Sequence, residues 1–153
     1  MPIDTAGSEG SPLLLDTSTA VALVVEDHEG HAATLAAVRG RRLGLAGHAW
    51  FETYSVLTRL PAGLRRSPAD TLRLLEHNFP GSLFLGEREA ADLGRELARL
   101  GISGGAVYDA LVAAVARAHD RPLISGDVRA RRIYDALNIR VESVGLSVPA
   151  GRR

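Results

Sequence analysis

Four acidic residues occupy positions from which side chains could act together: Asp16, Glu52, Asp109 and Asp127. Asp16 directly follows the apolar run Leu13–Leu15, and Asp127 follows Leu123-Ile124-Ser125-Gly126. Glu52 lies just beyond the apolar run Leu43–Ala46, in a stretch with helical spacing. Asp109 sits within Gly105-Ala106-Val107-Tyr108-Asp109-Ala110-Leu111-Val112-Ala113-Ala114-Val115-Ala116, which has no polar side around it and reads as a helix buried nearly all round. An isolated ionised carboxylate there would cost several kcal/mol, so it should be neutralised, paired or bound to a metal ion.

Each position also has an ordinary explanation. Asp16 suits a helix cap as well as it suits a ligand. Asp109 lies near a helix start, where the dipole favours an anion. Asp127, taken alone, is a satisfactory cap, and Glu52, with His48, Ser55 and Val56 as helical neighbours, could be a solvated surface residue. The combination outweighs its members. Three positions flank the carboxyl ends of predicted strands and the fourth is in the apolar helix. Carboxylates crowded into one cleft repel, and a divalent cation is the usual remedy.

The elements that must position them can be read from patterning. Strands are predicted at Leu13–Leu15, Leu43–Ala46, Leu83–Leu85, Leu123–Ser125 and Arg140–Val144. Helices are predicted over about Ser18–Val25, His31–Arg39, His48–Leu60, Pro68–His77, Glu87–Leu100 and from Gly104-Gly105 to about His119, with a last one capped by Asp127 and running to Leu137. Ser67-Pro68 and Asp70 form a strong helix start. Strands separated by helices imply crossovers and a parallel sheet with helices on both faces. The expected fold is therefore α/β, a three-layer α/β/α sandwich with a central parallel sheet of four to five strands. Ligands in such sheets bind outside the carboxyl ends of the strands.

Composition narrows the chemistry. The 153 residues suit one domain, 46% are hydrophobic and 24% charged, as in a globular protein. We expect a leader over residues 1–11, the domain over 12–146 and a tail over 147–153. With no cysteine, disulfides and thiolate metal sites are excluded, so a metal would be held by oxygen or imidazole. No apolar run approaches a membrane span, and the acidic, polar start does not read as a secretory signal, so a cytoplasmic location is expected. Net charge is zero, yet all 18 basic residues are arginine. Coding bias accounts for the total; local arginine clusters say more about phosphate binding.

The residues also resemble a known family. Asp16-Thr17-Ser18 after an apolar strand, Phe51-Glu52-Thr53-Tyr54-Ser55-Val56-Leu57, Val107-Tyr108-Asp109-Ala110-Leu111-Val112-Ala113 and Ser125-Gly126-Asp127 look like the motifs of PIN-domain nucleases, more narrowly of VapC-type toxins of bacterial toxin–antitoxin pairs. The resemblance spans about Leu13 to Val144. It implies an acidic quartet at Asp16, Glu52, Asp109 and Asp127, a hydroxyl residue at Ser125, Mg2+ or Mn2+ as cofactor, RNA as substrate, a homodimer and a cognate antitoxin. Cleavage in the family leaves 5′-phosphate and 3′-hydroxyl ends. The chain departs from the pattern after Asp127, where many members carry a further acidic residue and this one has Val128-Arg129-Ala130.

On that reading Asp16, Asp109 and Asp127 are metal ligands, Glu52 binds metal or orients the attacking water, and Ser125 holds a carboxylate or a substrate phosphate. Arg59, Arg65, Arg66, Arg129, Arg131 and Arg132 are candidates for gripping phosphate, although a solvated surface explains each. Asp27-His28-Glu29-Gly30-His31 reads as a polar loop, Gly101–Gly105 as a flexible lead-in to the Asp109 helix, and Trp50 and Tyr54 as core. Two other classes fit the same residues: a non-catalytic α/β interaction module, and a magnesium-dependent phosphatase or DNA nuclease on a similar sheet.

Overall fold

The computed structural model describes residues 11–144. Strand β1 (Leu13–Leu15) is followed by helices α1 (Thr17–Val24) and α2 (His31–Val38), then by β2 (Leu43–Leu45). Helices α3 (His48–Thr58), α4 (Pro68–Asn78), α5 (Glu87–Leu100) and α6 (Ala106–Ala118) come next. β3 (Leu123–Ser125), α7 (Arg131–Ala136) and β4 (Val141–Ser143) complete the described chain. The expected leader and tail fall mainly on residues 1–10 and 145–153, outside the described residues.

The strands form a parallel sheet in the order β2-β1-β3-β4. Side chains of a strand alternate between faces, so β1 divides its leucines. Leu13 and Leu15 join Leu43, Leu45 and Ile124 in a core covered by Leu23 of α1, Val38 of α2, Leu57 of α3 and Leu75 of α4. Leu14 and Leu123 join the opposite core, with Ala110, Ala113 and Val115 of α6 and Tyr134 of α7. The three layers expected from patterning are present. None of the described helices is long and apolar enough to cross a membrane.

Two expectations need correction. Leu83–Leu85 is not a fifth strand; its pairing is one isolated bridge, Ala46 with Leu83. Gly81 and Leu83 donate to Leu43 and Leu45 along the free edge of β2, but the Leu45 N–H turns to the Ser82 hydroxyl at 3.0 Å. A side-chain oxygen occupies the place of one ladder carbonyl; pairing resumes at Leu83, whose carbonyl accepts from the Gly47 N–H at 2.7 Å, and ends there because the Gly47 carbonyl turns to the Trp50 N–H as α3 begins. The α6 helix is not buried all round either. Val112 to Ala116 are buried, whereas Tyr108 is 52% exposed and Val107, Asp109 and Leu111 are half-buried. Burial is continuous only over Val112–Ala116, while the first turns mix the buried Ala110 with half-buried and exposed positions.

Chain direction across the sheet reverses between β1 and β3. From β1 the chain steps outward to β2, and from β3 it steps the other way to β4. The crevice at such a reversal lies beyond the carboxyl ends of the two central strands. Asp16 and Ser125 stand at that crevice.

Candidate active site

Asp16 leaves β1 in extended conformation and caps α1, its side chain accepting from the Thr19 N–H at 3.1 Å. It is only 4% exposed. Its Oδ1 also accepts from the hydroxyls of Ser18 at 3.1 Å and Thr19 at 2.7 Å. Its Oδ2 accepts from Ser125 Oγ and, at 3.0 Å, from Tyr134 OH. Cap and candidate site residue are thus the same group, and five donors hold an anion that burial would otherwise penalise.

Ser125 links two carboxylates. Its Oγ donates to Asp16 and accepts from the Asp127 N–H at 3.0 Å. Asp127 Oδ1 accepts from the N–H groups of Arg129 at 2.9 Å and Ala130 at 3.3 Å. Asp127 therefore caps a turn over residues 128–130, and α7 begins at Arg131 rather than directly after the aspartate as expected. Arg129 Nε lies 3.8 Å from Asp127 Oδ1, its side chain 94% exposed.

Glu52 reaches the site from the second turn of α3. Its Oε2 accepts from Thr17 Oγ1 at 2.7 Å and lies 4.0 Å from His48 Nε2. His48 in turn stacks on Tyr108, ring centroids 4.7 Å apart, directly before Asp109 on α6. Glu52 and Asp109 are thereby brought to the same side of the crevice.

Asp109 is the group whose charge is least compensated. Burial, then the negative charges of Asp127, Asp16 and Glu52, push its carboxyl above the usual carboxylate range; the Arg129 guanidinium opposes them weakly. All four predicted acidic residues therefore share one electrostatic field. The same field and burial raise the Tyr134 phenol far above its ordinary value: burial first, then the Asp16 charge and hydrogen bond, then Asp109 and Asp127.

The donor set is all oxygen, which suits Mg2+ or Mn2+. Among the described residues no three acidic or imidazole groups are drawn close enough to enclose an ion as they stand. The unrelieved repulsion on Asp109 is what a divalent ion would remove, so the residues fit such an ion.

The arginine candidates divide. Arg129 stands beside Asp127. Arg59 and Arg65 bond carbonyls of Ser55 and Leu60 at the far end of α3. Arg59 is seven residues beyond Glu52, about 10 Å along a helix axis. Arg66 is half-buried in a crevice lined by Val24, Val25, Leu60 and Leu64. Arg131 bonds Ser143 Oγ at 2.9 Å, and Arg132 is exposed. His28 and His31 each bond locally, to the Gly30 N–H and the Ala22 carbonyl. Trp50 and Tyr54 stack on each other and pack against the core, as expected.

Sequence reasoning missed Thr17, Thr19 and Tyr134. The run of hydroxyl residues after Asp16 was a signal for the first two. For Tyr134 the signal was a tyrosine on the same helical face as Ala130 and Leu137, where a buried phenol needs an acceptor.

Comparison with known proteins gives the same picture. The PIN domain model matches residues 13–136. Ribonuclease VapC27 of Mycobacterium tuberculosis is 48% identical over 130 residues, covering 85% of this chain and 95% of that protein. Ribonuclease VapC40 of the same species is 41% identical over 130 residues, covering 84% and 96%. Among solved structures, VapBC2 from Rickettsia felis bound to a DNA fragment from their promoter superposes with TM-score 0.61 at 15% identity, covering 86% of this chain and 97% of that chain. FitAcB from Neisseria gonorrhoeae gives 0.60 at 18%, covering 84% and 95%. With its acidic residues at the reversal of a parallel sheet and relatives alike over most of its length, the chain belongs to the PIN-domain family, in its VapC group.

Proposed function

We propose that this protein is a divalent-metal-dependent endoribonuclease that hydrolyses RNA phosphodiester bonds in the cytoplasm, and that it is the toxin of a toxin–antitoxin pair. The observation that carries the metal-dependent reading is Asp109, a half-buried carboxylate whose charge three further carboxylates oppose. The ribonuclease reading rests on its VapC relatives.

Bound Mg2+ or Mn2+ would supply Lewis acidity and a water of lowered pKa. The remaining roles belong to the chain. Asp16, Asp109 and Asp127 would hold the ion, directly or through water. Glu52, fixed by the Thr17 hydroxyl, orients the attacking water. Ser125 keeps Asp16 and the Asp127 backbone in register. Arg129, with Arg59, Arg65 and Arg66 more distant, steadies the phosphate backbone of the substrate. A homodimer and an inhibiting antitoxin follow from membership of the VapC group.

The decisive experiment incubates purified protein with RNA and DNA oligonucleotides in Mg2+, Mn2+ or EDTA, beside Asp16→Asn. RNA cleavage by wild type alone, abolished by EDTA, is the expected result. Equal cleavage by both proteins removes the metal-nuclease reading, and cleavage of DNA but not RNA makes the protein a DNA nuclease. Harmless expression of the active form without its genetic neighbour would remove the toxin reading.

A further inference from the structure

We infer that Tyr134 is a positioning residue for Asp16, setting the orientation in which that carboxylate meets the metal ion. The inference rests on the proposed metal-dependent reading and adds a residue to it. Tyr134 lies on α7, is 1% exposed, and sends its hydroxyl 3.0 Å to Asp16 Oδ2 across 118 positions of sequence. Packing fixes the ring: Tyr134 belongs to the core containing Ala110, Ala113, Leu123 and Leu137. Packing of the ring fixes the place of the phenol oxygen, and conjugation favours an O–H in the ring plane, a narrower choice than that of the Ser18 and Thr19 hydroxyls, which turn about an unconjugated C–O bond.

The donors on Asp16 divide by origin. Those on Oδ1 all come from α1, the helix that Asp16 itself caps. Those on Oδ2 come from β3 and α7, on the other side of the sheet reversal. Helix capping alone needs only the first set. The second set holds the carboxylate against rotation about its Cβ–Cγ bond and ties its plane to the strand that leads to Asp127. Groups that orient metal ligands from behind commonly change metal affinity or activity 10–100-fold when lost.

The test is Tyr134→Phe, which keeps the ring and removes the hydroxyl, beside Ser125→Ala, which removes the other donor to Oδ2. Two quantities are read: Mn2+ affinity by calorimetry, and the rise in thermal midpoint between EDTA and saturating Mn2+. For Tyr134→Phe the dissociation constant for Mn2+ should rise about tenfold and the Mn2+-induced stabilisation should shrink. The double variant should lose less than the product of the two single effects, because both donors act on one oxygen. A merely structural tyrosine would lower the midpoint equally with and without Mn2+ and leave the affinity unchanged, and that result overturns the inference. Wild-type protein that binds no Mn2+ at all would instead overturn the metal-dependent reading beneath it.

Discussion

The hydroxyl of Thr17 donates to Glu52 Oε2 at 2.7 Å, joining the residue after the first aspartate to a carboxylate 35 positions away. The bond fastens the start of α1 to the second turn of α3 at the mouth of the crevice. Because it lies in solvent, it contributes little to stability. Thr17→Val should therefore unfold within about 1 kcal/mol of wild type. RNA cleavage should nevertheless fall roughly tenfold, as for other groups that orient a ligand or its water. Unchanged turnover at saturating RNA and metal would mean that Glu52 needs no such hold.

Asp16 should be the costliest of the four carboxylates to remove for folding as well as for activity. Truncation takes away the α1 cap, about 1 kcal/mol. It also leaves the buried hydroxyls of Thr19, Ser125 and Tyr134 without their acceptor, each such loss being about 1–3 kcal/mol. Urea unfolding of Asp16→Ala should show at least about 2 kcal/mol lost, and Asp127→Ala distinctly less. Equal losses would contradict the hydrogen-bond network described.

The Asp109 carboxyl is raised by burial and by neighbouring anions. For a group raised on folding, the stabilising contribution is present below its unfolded value and is lost as pH climbs through the folded value. Above that folded value the ionised Asp109 therefore weakens the metal-free protein. In EDTA, Asp109→Asn should melt a few degrees higher than wild type. That gap should close as pH falls below the unfolded carboxyl value, about 3.9. Saturating Mn2+ should reverse the order, since it stabilises only the protein that binds it. A variant less stable than wild type in EDTA at neutral pH would contradict the repulsion.

Phosphate grip is separable from metal binding by ionic strength. At limiting substrate, cleavage should fall steeply between low and moderate salt, with a slope of about 0.7 for each arginine–phosphate contact on single-stranded RNA. Arg129→Ala should flatten that slope by roughly one contact. Salt-independent cleavage would remove all four arginines, Arg59, Arg65, Arg66 and Arg129, from the substrate surface.

Gly44 lies at the centre of β2, where a Cβ would overlap the carbonyl of Gly81 in the segment covering the strand edge. Gly44→Ala should cost about 3 kcal/mol by forcing that segment away. Because Ala46 and Gly47 lead from β2 into α3, Glu52 should be displaced too. Activity should then fall further than unfolded fraction alone explains, which circular dichroism and cleavage measured on one preparation would reveal.

Much of this protein could be read from residue order because the relevant physics is local. Leu13–Leu15, Leu43–Leu45 and Leu123–Ser125 are short apolar runs bounded by polar or turn residues, and each forms a buried strand. Ser67-Pro68 with Asp70 starts α4 as its capping chemistry requires, and Gly101 ends α5 in the left-handed region at φ 67°. The positions of Asp16 and Asp127 followed from the same logic, whereas Asp109 was singled out by its apolar helix and Glu52 by the family resemblance. A carboxylate immediately past a buried strand stands where parallel sheets bind ligands.

Other features depend on groups that meet only after folding. Leu83–Leu85 has a strand's composition, but its partner edge runs out at Gly47, where the chain turns into α3, and nothing in the segment's own pattern announces that. The outward face of the Asp109 helix depends on which residues of other elements come to cover its first turns. Ser125 and Tyr134 meet Asp16 because β1 and β3 are adjacent and α7 folds back over them. Periodicity and capping report on a few neighbouring residues, so they locate strands, helix starts and the acids at their ends. Which hydroxyl reaches which oxygen across more than a hundred residues is settled by the packing of whole layers, and that is where the charge of Asp16 is balanced and that of Asp109 is left exposed to its neighbours.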